Sequence, residues 1–142
     1  MLSTVLFSQN DEIDFELCKE TKTYPYYSSK PIYKKGFWEL KQSFISAYPK
    51  ATFKTLKNNS GIITIQFKVN CKGETGAFEL IQCDLNYNPT VLNEKITSFF
   101  LNQTQQLKNW EPGNDEEGNA VNSYKFYSFK IKEGVLIEIL PK

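Results

Sequence analysis

Side chains that commonly do enzyme chemistry are scarce or scattered in this sequence. It contains no histidine, the residue that most often serves as general base, proton shuttle or zinc ligand. Its carboxylates, lysines, tyrosines and cysteines form no recognisable catalytic pair. Acidic residues cluster between Asp11 and Glu16 and again at Asp115–Glu117, which we interpret as a solvated terminus and a loop tip. The sequence therefore predicts a non-enzymatic protein with no catalytic residue, metal site or cofactor.

Three cysteines, Cys18, Cys71 and Cys83, lack the close spacing of a metal site. An odd number fits one disulfide with a free thiol, or three buried thiols. Cys71 and Cys83 are poor partners, because a hairpin turning near Gly73 would place Cys83 opposite a residue near Thr64. Any disulfide is expected to include Cys18, which would tether an otherwise weakly held segment. Cys71 is slightly favoured over Cys83 as its partner.

The charge pattern argues against nucleic-acid binding. The net charge is +1, and all 17 basic residues are lysines. Proteins that read phosphates and base edges rely heavily on the arginine guanidinium group. The sequence therefore predicts no nucleic-acid partner.

The distribution of apolar residues predicts no transmembrane segment, since no stretch reaches the roughly 20 apolar residues that a membrane helix needs. Met1 to Ser8 is similar to the end of a signal peptide, with a junction at Ser8–Gln9. We therefore expect a periplasmic or otherwise exported protein whose signal is truncated at the given start. The alternative is an ordinary apolar N-terminus.

Hydrophobic periodicity predicts two helices. Apolar residues recur at the spacing of one helical face between Gly36 and Pro49; they are Phe37, Leu40, Phe44, Ile45 and Tyr48. A longer helix is predicted over residues 91–109, with a core-facing stripe. That stripe consists of Leu92, Ile96, Phe99, Phe100, Gln103, Leu107 and Trp110. We expect Trp110 to be buried where this helix meets a sheet.

Alternating side chains predict the strands of that sheet. Residues 61–70 alternate most regularly, and residues 75–83 are expected to be their hairpin partner. A second hairpin is predicted from residues 121–132 and 135–140, where Val135, Ile137 and Ile139 alternate with Leu136, Glu138 and Leu140. A right-handed crossover through the longer helix would put the third strand beside the first.

The expected fold class is therefore α+β: a four-stranded mixed sheet in the order 2-1-3-4 with two helices on one face. Residues 1–30 would be a signal-like remnant and an extended lead-in, and residues 31–142 a single domain.

The order of several residues resembles the C-terminal domain of TonB-type energy transducers, in its short Bacteroidetes-type form. Tyr48-Pro49 precedes the first strand, Gly61 opens that strand and Gly73 ends it at the turn. The later stretch Trp110, Pro112, Gly118 and Val121 is similar to the family's Trp-x-Pro…Gly-x-x-Val pattern. The resemblance covers about residues 36–132.

The resemblance implies a periplasmic module that adds an extended segment of an outer-membrane receptor to the edge of its sheet. We expect that partner to bind the last strand, at Val135, Ile137, Glu138, Ile139 and Leu140. The edge at residues 75–83 would also be available. Charges at Glu138, Lys130 and Lys132 favour another interpretation, in which this edge is merely protected. A different function is a small-ligand-binding domain with a cleft between helix and sheet. The sequence leaves the oligomeric state open.

Overall fold

The computed structural model describes residues 15–19 and 22–142. Its helices are α1 (Tyr26–Ser29), α2 (Gly36–Ala47), α3 (Lys50–Phe53) and α4 (Glu94–Gln105). Its strands are β1 (Thr23–Tyr24), β2 (Ile32–Tyr33), β3 (Gly61–Val69), β4 (Thr75–Cys83), β5 (Trp110–Glu111), β6 (Gly113–Asn114), β7 (Ala120–Lys132) and β8 (Val135–Leu140). The signal-like segment predicted at Met1 to Ser8 lies outside the described residues.

The described helices and strands form an α+β fold whose main sheet has more strands than predicted. One sheet has six strands, in which β1, β7, β3 and β4 are successive neighbours and β6 and β8 also pair with β7. A separate two-stranded sheet pairs β2 with β5. The expectation of four strands and two helices was therefore too small. The added strands are two residues long, too short to show side-chain alternation.

The central strand β3 has the predicted alternation. Its apolar side chains Ile63, Ile65, Phe67 and Val69 are buried, and the residues between them are more accessible. A strand with one buried face holds its register, since a slip by one residue would move every apolar side chain to solvent.

The helix predicted over residues 91–109 is shorter in the structure, where α4 covers Glu94–Gln105. The Asn93 side chain caps α4 by accepting a hydrogen bond from the Lys95 amide at 2.9 Å. Leu92, Leu107 and Trp110 are buried but lie outside the helix. Apolar side chains in the flanking segments continue the helical spacing, although the backbone there is not helical.

The chain forms two compact units, each defined by residues that contact one another. The first contains the described residues up to Lys34, together with Phe67–Phe78 and Lys108–Lys125. The second contains Lys35–Gln66, Glu79–Leu107 and Phe126–Lys142. Each unit thus combines three separate segments of the sequence.

The second unit has an aromatic core between α2, α4 and β7. The Phe129 ring lies 4.7 Å from Phe44 and 4.4 Å from Phe100, measured between centroids. All three side chains are fully buried. The core-facing expectation for Ile45 was wrong, because its side chain is 46% exposed. It follows Phe44 directly and so lies away from the face that α2 buries.

The first unit has its own aromatic cluster around Trp110. The ring lies 5.5 Å from Phe67 and 5.5 Å from Tyr33, and only 3% of the residue is exposed. Its predicted burial is confirmed, but it lies in strand β5 rather than at the end of a helix.

The predicted participation of Cys18 in a disulfide is confirmed, because Cys18 is bonded to Cys71. Cys83 is a free thiol of intermediate exposure. Both partners of the disulfide belong to the first unit.

Three loops of the described chain share one hydrogen-bond pattern: Asn70–Glu74, Asp84–Asn88 and Asp115–Asn119. In each, the Oδ1 atom of the first residue accepts from the amides of the third and fifth residues, at 2.8–3.0 Å. The fourth residue has a positive φ, which is the left-handed conformation of a type I turn with a bulge. That residue is Gly73, Tyr87 or Gly118.

Candidate functional site

The predicted binding strand β8 is held in place by a tight turn from β7. Glu133 and Gly134 form that turn, and both have a positive φ, as a two-residue type I′ hairpin requires. The Gly134 amide donates to the Asn59 carbonyl at 2.9 Å, and the Glu133 amide donates to the Ser60 hydroxyl at 2.8 Å. These contacts within the second unit fix where β8 begins.

The hydroxyl of Tyr48 also holds this turn. It donates a hydrogen bond to the Gly134 carbonyl at 2.8 Å. Burial raises the pKa of the Tyr48 phenol to about 12. The phenol is therefore a stable donor at neutral pH.

Strand β8 is an edge strand in the described part of the chain, where β7 is its only strand partner. Its register is interrupted once: Lys130 lies opposite Glu138, but the next residue, Ile131, lies opposite Leu136. Ile137 is thus the extra residue of a β-bulge.

The bulge changes which side chains face the core. Ile139 is buried, with 4% exposed, whereas Ile137 is 52% exposed. The expectation that these two residues share a face with Val135 was wrong, because an extra residue inverts the alternation beyond it.

The predicted binding residues therefore separate into two groups. Ile137, Glu138 and Leu140 are exposed, whereas Val135 is half-buried and Ile139 is buried. Ile137 and Leu140 offer apolar contact area to a strand added at this edge. Opposite charges face each other across the hairpin at Lys130 and Glu138.

The second predicted edge, β4, is partly covered. Cys83 forms an antiparallel bridge with Pro89, and the Leu92 amide donates to the Gln82 side chain at 2.8 Å. The exposed side chains of Leu80 and Ile81 lie before the covered part. The end of β4 is thus occupied by its own following loop, which makes β8 the better candidate.

Several large side chains are exposed that the sequence did not predict to lie at the surface. Trp38, Tyr87 and Val91 are 67%, 77% and 76% exposed. A single exposed aromatic residue has no periodic signal. Tyr87 could have been found because it occupies the turn position that Gly73 and Gly118 fill in the other two loops.

Most residues that carry the TonB resemblance lie in turns, at close backbone approaches or in the core. A Cβ at Gly61 would clash with the Cys83 carbonyl, and one at Gly73 with the Trp110 carbonyl. Val121 is buried in β7, and Gly118 has a φ of +85° in its loop. These four residues thus have roles in the turns and packing of this fold.

Comparisons with protein-family models, curated proteins and solved structures found no match. In the described residues, no group of three or more histidine, cysteine, aspartate or glutamate side chains could hold a metal ion. No helix there is both long and apolar enough to cross a membrane.

Proposed function

We propose that this protein is a non-enzymatic interaction module, similar to the TonB C-terminal domain, that binds an extended segment of a protein partner along β8. The observation that carries the proposal is the side of β8 that pairs with no other strand among residues 15–19 and 22–142. The exposed side chains of Ile137 and Leu140 lie beside it. Backbone donors and acceptors on such an edge can bind an added strand, and neighbouring side chains select its sequence.

The position of β8 supports this role. The side chain of Ile139 in β8 is buried. Hydrogen bonds to Gly134 hold the turn that precedes the strand. A rigid edge loses little conformational entropy when a partner binds. The bulge at Ile137 limits ladder formation and favours a short partner segment.

The disulfide between Cys18 and Cys71 supports an exported location. Disulfides persist in the periplasm and other oxidising compartments and are rare in reducing ones. Together with the signal-like start, the disulfide supports a proposed partner outside the cytoplasm. The resemblance makes the periplasmic segment of an outer-membrane receptor the proposed partner.

An NMR titration of the full chain tests this proposal. The probes are extended peptides from the periplasmic ends of outer-membrane receptors. Amide shifts should concentrate in Val135–Leu140 and in the facing residues of β7. Shifts confined to residues between helix and sheet would contradict the proposal and support a small-ligand cleft.

A matched pair of variants identifies the edge. Ile137→Lys/Leu140→Lys adds charge beside β8 and should abolish the shifts, because charged edge residues oppose strand addition. Leu80→Lys/Ile81→Lys makes the same change on β4 and should leave binding intact. All four side chains are exposed, so neither variant should lose its fold. Equal binding by both variants would overturn the assignment to β8.

A further inference from the structure

Two buried asparagine side chains hold the backbone of the segment Phe15–Lys19. Asn70 and Asn122 are each 1% exposed. Asn122 makes a two-point contact with Cys18: its Oδ1 atom accepts from the Cys18 amide at 3.0 Å, and its Nδ2 atom donates to the Cys18 carbonyl at 3.0 Å. This is the pairing that a neighbouring β-strand would offer.

The side-chain amide of Asn70 is also held in a fixed orientation. Its Nδ2 atom donates to the Glu16 carbonyl at 2.8 Å and to the Glu74 carboxylate at 2.8 Å. Its Oδ1 atom accepts from the amides of Lys72 and Glu74, both at 3.0 Å. Contacts within its own loop therefore orient the donor that faces the segment.

We call Asn70, Asn122 and Gly76 the cradle. Two further contacts hold the segment Phe15–Lys19 in it. The ring of Phe15 lies directly on Gly76, where any Cβ atom would clash with it. The disulfide then ties Cys18 to Cys71. The asparagines contact backbone atoms of the segment, so the contacts that select sequence are the aromatic ring and the disulfide.

We propose that the cradle is a second binding site for an extended peptide, one with an aromatic residue three positions before the residue that Asn122 holds. The segment Phe15–Cys18 occupies it within the same chain, and the disulfide keeps it there. A dithiol opens the site: it is oxidised to its own disulfide, and Cys18 and Cys71 each gain a proton and an electron as they become thiols. The released segment can then be replaced by another of the same pattern.

This site is distinct from the proposed edge at β8 and has its own test. The protein is the full chain carrying Phe15→Ala and Cys18→Ser, which weakens the internal segment and leaves Cys71 and Cys83 as thiols. The probe is a synthetic peptide with the sequence of residues 13–19, its cysteine activated as a mixed disulfide with a small thiol. Attack by a protein thiolate on the peptide sulfur joins the peptide and releases the small thiol.

Mass spectrometry then shows which cysteine carries the peptide. We expect the peptide on Cys71 at least about tenfold faster than on Cys83, because the cradle raises its local concentration. Cys83 serves as an internal control in the same molecule. Equal labelling of the two thiols would overturn the proposal.

Variants of the peptide test the cradle without changing the protein. Alanine in place of the phenylalanine should remove most of the preference for Cys71. A methyl group on the amide of the cysteine should do the same, since it removes the donor to Asn122. The control carries its methyl group on the adjacent leucine amide. This control should label Cys71 as fast as the original peptide. If the alanine peptide and the cysteine N-methyl peptide also label Cys71 that fast, neither the ring contact nor Asn122 binds the peptide and the proposal is wrong.

Discussion

The phenol oxygen of Tyr48 lies 2.8 Å from the carbonyl oxygen of Gly134 and joins the end of α2 to the turn before β8. Tyr48→Phe keeps the ring and removes this hydrogen bond. We expect it to lower the free energy of unfolding by about 0.5–1.5 kcal/mol at neutral pH. Urea unfolding measures the change, with Tyr27→Phe as a control at an exposed ring. An equal loss in both variants would contradict the role of this bond.

The same phenol predicts a pH dependence. Its pKa in the folded protein is about 12, above the ordinary value of about 10. The unfolded chain therefore ionises first, and the stabilisation by Tyr48 is present below about pH 10 and declines towards pH 12. We expect Tyr48→Phe to reduce the fall in unfolding free energy over this range. Unchanged slopes in wild type and variant would show that Tyr48 is not protected.

The two tryptophans should respond differently to truncation. Trp110 is 3% exposed and contacts Phe67 and Tyr33, whereas Trp38 is 67% exposed. We expect Trp110→Ala to cost roughly 3–5 kcal/mol of unfolding free energy. Trp38→Ala should change it by less than about 0.5 kcal/mol. Thermal and urea unfolding of the pair check this. A small effect of Trp110→Ala would contradict a core role for its ring.

Alternation and periodicity predicted the strands better than the surfaces. The bounds of β4 and β8 match the predicted residues 75–83 and 135–140, because turns at Gly73 and Gly134 precede the two strands. The bulge at Ile137 leaves no trace in the sequence, because apolar residues occupy both alternating sets of positions in β8, so the reversal that buries Ile139 could not be predicted. The cradle was also hidden, since Cys18 and Asn122 are 104 positions apart and asparagine is common in turns.

The disulfide predicts a large difference between cysteine substitutions. It joins residues separated by 53 positions, so opening it releases a long loop in the unfolded chain. We expect Cys18→Ser to lower the free energy of unfolding by about 2–4 kcal/mol. Cys83→Ser, at a free thiol, should cost less than about 1 kcal/mol. Reduction of the wild type should reproduce the first loss and add nothing to Cys18→Ser. A further loss in the reduced variant would reveal another disulfide.

The three matched loops predict opposite effects of substitution at their fourth position. Tyr87 has a φ of +66° where the other loops have Gly73 and Gly118. The left-handed conformation costs a non-glycine residue about 1–2 kcal/mol, and the greater freedom of unfolded glycine returns about 0.5–1 kcal/mol of that.

We therefore expect Tyr87→Gly to raise the free energy of unfolding by up to about 1 kcal/mol. Gly118→Ala should lower it by about 1 kcal/mol through the backbone alone, since no heavy atom lies within 4 Å of the added Cβ. Urea unfolding of the two variants measures both signs. A Tyr87→Gly protein that is less stable than wild type would show that the exposed ring stabilises its loop. In that case, the strained tyrosine would have a structural role.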